Sequence, residues 1–298
     1  MKRTFLMLSL ALVFSACDSD TSSIDGQTLR ISLSAVDALT NGFHYEGWAI
    51  IGGNPVSTGK FNVDANGNLV DLSGSAIPNG DFNTGQDLST ATVVIITIEP
   101  DGDTDAVPAD TKYLGGDVSS LEAALSPAHG SSLGDNFSTA AGSYILATPT
   151  NGDGNDENSG IWFLDLSSGS PMTALTLPGL PDGWKYEGWA VINGSPVSTG
   201  TFTAVDTVDD AAPFSGTSAG PPFPGEDFLV NAPAGQTFPT DIAGGTAVIS
   251  IEPFPDSDAA PFTLKPLVGE IPANATDHVD YPMDNNAGAF PTGSARIL

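Results

Sequence analysis

The chain has 298 residues, of which 36 are acidic and 8 are basic, so its formal net charge at pH 7 is −28. Because binding to a nucleic-acid backbone depends on Lys and Arg neutralising phosphates, this charge argues against nucleic acid as a partner. The same charge repels anionic membrane surfaces and keeps a folded chain soluble, or else it recruits calcium or a basic partner.

Residues 1–16 have the order of a bacterial lipoprotein signal peptide. Two basic residues precede the apolar run Phe5 to Phe14, which is too short to span a bilayer. Ser15 and Ala16 then lead to Cys17, the single cysteine of the chain. We predict that Cys17 is lipidated and anchors the protein in the cell envelope, on the periplasmic or the surface face of the outer membrane. An ordinary secretory signal with an incidental cysteine is the alternative.

Alternating apolar residues predict the first strand, over Leu29 to Val36. Tyr45 to Ile51 and Val56 to Val63 predict a hairpin, because the Gly-Gly-Asn-Pro between them favours a turn. The β-branched run Thr92 to Ile98 predicts a central strand, which ends at Glu99-Pro100 because Pro lacks the ladder donor.

The hairpin is part of an internal repeat. Tyr45–Phe61 recurs as Tyr186–Phe202, at a constant offset of 141 residues, with Tyr-Glu-Gly-Trp and Pro-Val-Ser-Thr-Gly-x-Phe in both copies. A match of this length predicts a duplicated domain. The second copy has about a dozen extra residues, which we place near Pro213 to Phe238.

Shorter elements follow the central strand. Ser119 to Leu125 favours one short helical turn, and Ser143 to Ala147 predicts the last strand of the first copy. The end of the chain, Arg296 to Leu298, matches Tyr144 to Leu146 and is therefore predicted to be the last strand of the second copy.

We therefore predict an all-β fold with two tandem β-sandwich domains that arose by internal duplication. The predicted segments are a signal peptide over 1–16, a tether over 17–28, a first β domain over 29–148, a polar linker over 149–160 and a second β domain over 161–298. Trp48 and Trp189 take the same place in both copies, and we expect both to lie in the core rather than to be exposed as platforms for a sugar or peptide.

The repeated motifs resemble the extracytoplasmic C-terminal domain of the anti-sigma-K factor family. The resemblance rests on Tyr-Glu-Gly-Trp, Pro-Val-Ser-Thr-Gly-x-Phe, a β run ending in Ile-Glu-Pro, and a Leu-x-Gly near Gly116 and Gly269. It covers most of each repeat, over about 30–148 and 165–298, and implies an all-β module outside the membrane. The family's helical sigma-binding domain and transmembrane helix find no match in this sequence, so the resemblance implies the ectodomain fold and not sigma-factor inhibition.

Two segments match the G-x-S-x-G of hydrolases, Gly130–Gly134 and Gly216–Gly220. Neither has the preceding strand and following helix that the motif needs, so we interpret both as chance matches. The histidines, His44, His129 and His278, are isolated in sequence and lack metal-ligand spacing.

Asp101, Asp103 and Asp105 present alternating oxygen ligands of the kind that calcium prefers. Lys112 stands where an EF-hand needs Glu, which excludes an EF-hand. We interpret the segment as a solvated acidic turn, with a looser calcium-binding turn as the alternative. The β run of each copy ends in a carboxylate, Glu99 in the first and Glu252 in the second. We expect these carboxylates to accept hydrogen bonds from turn amides rather than to act in catalysis.

These observations favour a non-catalytic, lipid-anchored envelope protein for interaction or sensing, built of two ectodomain-like modules and needing no cofactor. The expected partners are the membrane, through the lipid, and an envelope protein or glycan. The alternative is a surface glycan- or calcium-binding lipoprotein.

Overall fold

The computed structural model describes residues 26–152, 154–256 and 258–298. The predicted signal peptide, Cys17 and most of the predicted tether lie outside the described residues. Strands account for 40% of the residues and helices for 3%, which confirms the predicted all-β class.

The first copy contributes nine strands: β1 (Thr28–Ser34), β2 (His44–Ile51), β3 (Asn54–Val63), β4 (Leu69–Val70), β5 (Asp81–Asn83), β6 (Ala91–Glu99), β7 (Lys112–Asp117), β8 (Glu122–Leu125) and β9 (Gly142–Leu146). The second copy contributes β10 (Gly160–Trp162), β11 (Leu164–Asp165), β12 (Met172–Thr173), β13 (Trp184–Ile192), β14 (Ser195–Phe202), β15 (Gly225–Asp227), β16 (Thr246–Pro253), β17 (Leu267–Glu270), β18 (Tyr281–Asn285) and β19 (Thr292–Ile297). Single 3-10 turns occur at Pro78–Gly80, Glu157–Ser159 and Ala287–Ala289.

The strands form antiparallel sheets that include a half-barrel and a nearly closed barrel. The largest sheet has eight strands in the order β14-β13-β16-β17-β18-β9-β10-β15. A five-stranded sheet has the order β4-β3-β2-β6-β7, and a four-stranded sheet has the order β5-β1-β19-β8. The last two sheets approach each other where Gly115 of the end strand β7 forms an isolated bridge with Ser126, the residue after the end strand β8.

The two copies exchange their last strands. The C-terminal strand β19 pairs with β1, from Leu29↔Ile297 to Ser34↔Thr292, and with β8 on its other side. The last strand of the first copy, β9, pairs with β18 and β10 of the second copy. The structure thus differs from the expectation that each copy ends on its own strand.

The segment predicted as a linker, 149–160, connects two strands that are hydrogen-bonded to each other. Ile161 pairs with Leu146, so β9 and β10 form a hairpin within one sheet. Thr150 and Ser159 within the connection are 3% and 2% exposed. Residues on the two sides of the predicted boundary therefore share hydrogen-bonded ladders.

Aromatic side chains join the two copies in one apolar core. Tyr113 of β7 packs between residues of both copies, with its ring centroid 5.7 Å from that of Tyr45, 6.4 Å from that of Trp184 and 5.4 Å from that of Phe262. All four side chains are buried. The copies are therefore linked by side-chain packing as well as by backbone pairing.

The helical turn predicted over Ser119 to Leu125 is wrong, because Glu122–Leu125 is strand β8. Ser120 and Leu121 have positive φ angles of 53° and 64°, which reverse the chain just before the strand. Pairing with the neighbouring strand β19 outweighs the local preference of Glu-Ala-Ala-Leu for helix.

The hairpin of each copy has the same irregularity. The register with the partner strand shifts between Gly47 and Trp48, and again between Gly188 and Trp189. A Cβ at Gly47 would lie 2.4 Å from Thr58 Oγ1, so the close approach of β3 at this point requires glycine. The bulge brings the hydroxyl and carboxyl groups described below onto one face of the hairpin.

Candidate functional site

The hairpin of each copy buries polar side chains on the face opposite the apolar core. In β2, Tyr45 and Ala49 belong to the core, so strand alternation places Glu46 and Trp48 on the other face. Trp48 is fully buried and Trp189 is 2% exposed, so neither is an exposed platform, but both lie outside the main apolar core, among the polar side chains of the opposite face.

We call the polar side chains and the indole on this face the outer-face cluster; its two serines on β3 and β14 are exposed and half-buried, and its other members are buried. Its members are Glu46, Trp48, Ser57, Thr97 and Glu99 in the first copy and Glu187, Trp189, Ser198, Ser250 and Glu252 in the second. The chemistry at each position is retained between the copies, because Thr97 and Ser250 both present a hydroxyl.

In the first copy, hydrogen bonds run from the indole to the carboxylate that ends β6. Trp48 Nε1 donates to Thr97 Oγ1 at 2.9 Å, and Thr97 Oγ1 donates to Glu99 Oε1 at 2.5 Å. Glu99 Oε1 also accepts from the backbone N–H of Ala109 at 3.0 Å. The carboxylate therefore holds the loop that follows β6 against the sheet.

The second copy repeats this arrangement. Trp189 Nε1 donates to Ser250 Oγ at 2.8 Å, and the backbone N–H of Phe262 donates to Glu252 Oε1 at 2.8 Å. The expectation that Glu99 and Glu252 bond turn amides is confirmed.

The second carboxylate of each cluster accepts a hydrogen bond on one oxygen only. Ser57 Oγ donates to Glu46 Oε1, and Ser198 Oγ donates to Glu187 Oε1. The other oxygen, Oε2, is buried without a hydrogen-bond partner among the described residues in both copies. In the first copy, Lys60 Nζ lies 3.6 Å from Glu46 Oε2, whereas Thr201 takes the position of this lysine in the second copy.

The electrostatics of the two clusters differ, because Lys60 has no counterpart at position 201. Burial raises the pKa of Glu187 to about 7 and that of Glu252 to about 8. Burial also raises the pKa of Glu46, but the hydrogen bond from Ser57 and the charge of Lys60 oppose the shift.

The first copy adds a histidine and an aspartate beside Glu46. Single ligand atoms from His44, Glu46 and Asp103 all lie within 4.8 Å of one another, which makes the trio able to hold a metal ion. Lys60 Nζ donates to Asp103 Oδ2 at 2.8 Å. Sequence reasoning missed this group, although the i, i+2 spacing of His44 and Glu46 on one strand face was a usable signal.

The three aspartates proposed as calcium ligands have separate surroundings. Asp103 bonds Lys60, Asp105 Oδ1 accepts from the backbone N–H of Val107 at 2.8 Å, and Asp101 lies against Gly42. Of the three, Asp103 alone belongs to the group with His44.

A second candidate site lies in the second copy, around the start of β15. A cavity of about 430 Å³, which we call the insertion cavity, opens beside β15. Its lining includes Trp162, Asp209, Ser215, Pro221, Phe223 and Gly225. Of the segment predicted to hold the insertion, 213–238, only the part up to Gly225 contributes to the cavity wall.

Four carboxylates lie in or beside the insertion cavity: Asp209 and Asp210 in its lining, and Glu226 and Asp227 on β15. Asp209 Oδ2 accepts from the backbone N–H of Gly225 at 3.0 Å, and Glu226 accepts from Ser215 Oγ. Burial raises the pKa of Asp209 to about 7, and the nearby carboxylates of Glu226 and Asp210 add to the shift. Burial likewise raises the pKa of Glu226 to about 7.

The fourth carboxylate, Asp227, lies on a ladder whose charged groups differ between the copies. In the first copy Arg30 Nε lies 2.6 Å from Asp81 Oδ1 and forms an ion pair. In the second copy Trp162 pairs with Gly225 on the corresponding ladder, and its Nε1 donates at 2.7 Å to Oδ1 of Asp227, two residues further along β15. Burial then raises the pKa of Asp227. Sequence reasoning singled out none of these carboxylates, because at the repeat offset of 141 residues the first copy has no carboxylate at the matching positions.

The remaining sequence candidates are held in other interactions. Ser132 of the first G-x-S-x-G match is 7% exposed, and its hydroxyl lies within hydrogen-bond distance of three backbone carbonyls. The second match, 216–220, lines the insertion cavity. His129 and His278 lie beside Asp117 and Asp277 at 3.3 and 2.9 Å.

Comparison with protein-family models, curated proteins and solved structures finds no match to this chain. Within the described ranges, no helix is long and apolar enough to cross a bilayer.

Because Thr201 stands where the first copy has Lys60, we predict that the carboxyl group of Glu187 makes the free energy of unfolding depend on pH. Glu187 has a pKa raised from 4.5 to about 7, so its contribution to stability is full below pH 4.5 and is lost as the pH rises to about 7. The free energy of unfolding, measured by urea denaturation, should therefore fall less between pH 4.5 and 8 in Glu187→Gln than in the wild type. The matched change Glu46→Gln also removes the partner of Lys60. At pH 8 it should therefore stabilise the protein less than Glu187→Gln does. Parallel pH profiles for the wild type and Glu187→Gln would contradict the assignment.

Proposed function

We propose that this protein is a non-catalytic, lipid-anchored interaction or sensing protein of the bacterial cell envelope, which binds a basic partner through its second copy. The observation that carries the proposal is the insertion cavity. Its wall presents a half-buried carboxylate, Asp209.

The carboxylates that recur in both copies, Glu99 and Glu252, have a structural role. Glu99 and Glu252 are buried and accept hydrogen bonds from the loops that cover them. Groups that are satisfied inside the protein hold the scaffold together and are not offered to a ligand. By contrast, Asp209 lines an open cavity.

The electrostatics of the insertion cavity favour a cationic group. Within the described residues Asp209 forms no salt bridge, and its neighbours Glu226 and Asp210 add negative charge. A guanidinium or ammonium group at this carboxylate would form a charge-assisted hydrogen bond and relieve the repulsion. The chain's net charge of −28 would also attract a basic partner.

The resemblance to anti-sigma-K factor ectodomains supports the extracytoplasmic part of the proposal, without a sigma-binding role. Glycan binding is the weaker candidate, because sugar sites commonly use exposed aromatic faces. All four tryptophans of the chain are at most 4% exposed.

The binding proposal predicts selective recognition of a guanidinium group. Nα-acetyl-arginine amide should shift the indole N–H resonance of Trp162 in a ¹⁵N-correlated NMR titration, because this ring lines the cavity. The neutral isostere Nα-acetyl-citrulline amide should have a much smaller effect. Asp209→Asn should abolish the response to the arginine amide. Asp206→Asn, an equal charge change at an exposed position outside the lining, should retain it.

Equal shifts with both amides, or an unchanged response in Asp209→Asn, would contradict recognition by this carboxylate. The Trp162 resonance is assigned from its loss in Trp162→Phe, and thermal unfolding checks that each variant is folded.

The anchoring proposal predicts that Cys17 carries the lipid. Cys17→Ser should abolish metabolic labelling with palmitate in a bacterial host and release the protein from the membrane fraction, because the thioether link to the lipid cannot form. Unchanged labelling and sedimentation in the variant would contradict lipidation at this residue.

A further inference from the structure

Two buried atoms on the outer face of β2 lack hydrogen-bond partners. His44 is 4% exposed and Glu46 is 2% exposed, and neither His44 Nε2 nor Glu46 Oε2 has a partner among the described residues. Leaving a buried polar atom unsatisfied is costly, so native structures seldom do it. Glu46 Oε2 thus has only the ammonium of Lys60 near it, at 3.6 Å, and His44 Nε2 is open to a further ligand.

The surroundings of His44 leave a lone pair free on Nε2. His44 Nδ1 lies 3.3 Å from the carbonyl oxygen of Gly42, so the Nδ1–H tautomer can donate to this oxygen. The same arrangement fixes the ring of most metal-binding histidines, whose second nitrogen bonds a backbone carbonyl or a carboxylate.

A third ligand comes from the loop after β6. His44, Glu46 and Asp103 each have a ligand atom within 4.8 Å of the corresponding atoms of the other two. Ligand atoms held about 2.0–2.2 Å from one zinc ion lie roughly 3.3–4.4 Å apart, so a small adjustment would close the site. An imidazole with two carboxylates suits zinc or a similar first-row ion better than calcium, which prefers oxygen alone.

We propose that the first copy binds a divalent transition-metal ion, such as Zn²⁺, through His44 Nε2 and the carboxylates of Glu46 and Asp103. The site is separate from the insertion cavity and goes beyond the proposed function. A fourth position is left for water or for a group from a partner.

Lys60 is the competitor for this site. Its Nζ lies 2.8 Å from Asp103 Oδ2 and 3.6 Å from Glu46 Oε2, so its charge balances the carboxylates when no metal is bound. The Lys60 side chain is 26% exposed and can move into solvent when a metal ion replaces it. Removing the lysine should therefore strengthen metal binding.

The second copy supplies an internal contrast. Lys185 stands where the first copy has His44, and it lies 2.6 Å from Asp210 Oδ2. A lysine ammonium cannot ligate a metal, so the second copy should not form an equivalent site. His44→Lys thus introduces a residue that the same fold already holds at this position.

Calorimetric titration of the mature chain with ZnCl₂ tests the proposal, with Cys17→Ser in every sample to remove the thiol. We expect a single Zn²⁺ site that His44→Lys and Asp103→Asn each weaken by at least about tenfold. Asp105→Asn, an equal charge change in the same loop, should leave the affinity unchanged, and Lys60→Met should increase it. Co²⁺ in place of Zn²⁺ should give visible absorption bands that His44→Lys abolishes.

An affinity that is equal in the starting protein and in His44→Lys would overturn the proposal and indicate adventitious binding to surface carboxylates. Equal losses in Asp103→Asn and Asp105→Asn would overturn it as well, and so would tight Ca²⁺ binding that is unaffected by His44→Lys. If His44→Lys fails to fold, the opposite effects expected for Asp103→Asn and Lys60→Met still decide the outcome.

Discussion

The structure depends on the backbone pairing of two exchanged strands. β19 lies between β1 and β8 of the first copy, and β9 lies between β18 and β10 of the second. Because buried N–H and C=O groups must be paired, each copy needs the last strand of the other to complete its sheets. The burial of Ala295 and Ile297, at 2% and 3% exposure, shows that β19 also fills the core of the first copy.

The exchange explains how a duplicated fold can carry two different sites. With the copies held together by shared ladders and by the packing of Tyr113 against Trp184, the outer-face clusters are free to diverge in charge. Lys60 balances Glu46 in the first copy, whereas Glu187 in the second has no such cation. The first copy therefore has the geometry for a metal ion, and the second has acquired the insertion cavity.

Local patterns in the sequence predicted much of the fold. The hairpin over Tyr45 to Val63, the central strand over Thr92 to Ile98 and the buried Trp48 follow from alternation, turn chemistry and β-branched residues. The role of Glu99 was also predicted, because a carboxylate that ends a buried strand can bond the amides of the following loop.

Long-range pairing was beyond the reach of these patterns. The match between the ends of the two copies shows that β9 and β19 are equivalent. Because the two copies offer similar sheet edges, the sequence does not say which copy each strand joins. Glu122–Leu125 is a strand because β19 lies beside it, against its local helix preference. His44 and Asp103 meet only because the loop after β6 folds over β2, and the carboxylates of the insertion cavity have no counterpart at the repeat offset.

Hydrogen exchange in a chain truncated after Pro291 tests the strand exchange most directly, because the truncation removes β19. With the exchange, amide protection should fall in β1 and β8 of the first copy, while β13 and β16 of the second copy remain protected. Loss of protection confined to the second copy, with β1 and β8 unaffected, would show that the C-terminal strand completes its own copy and would contradict the exchange.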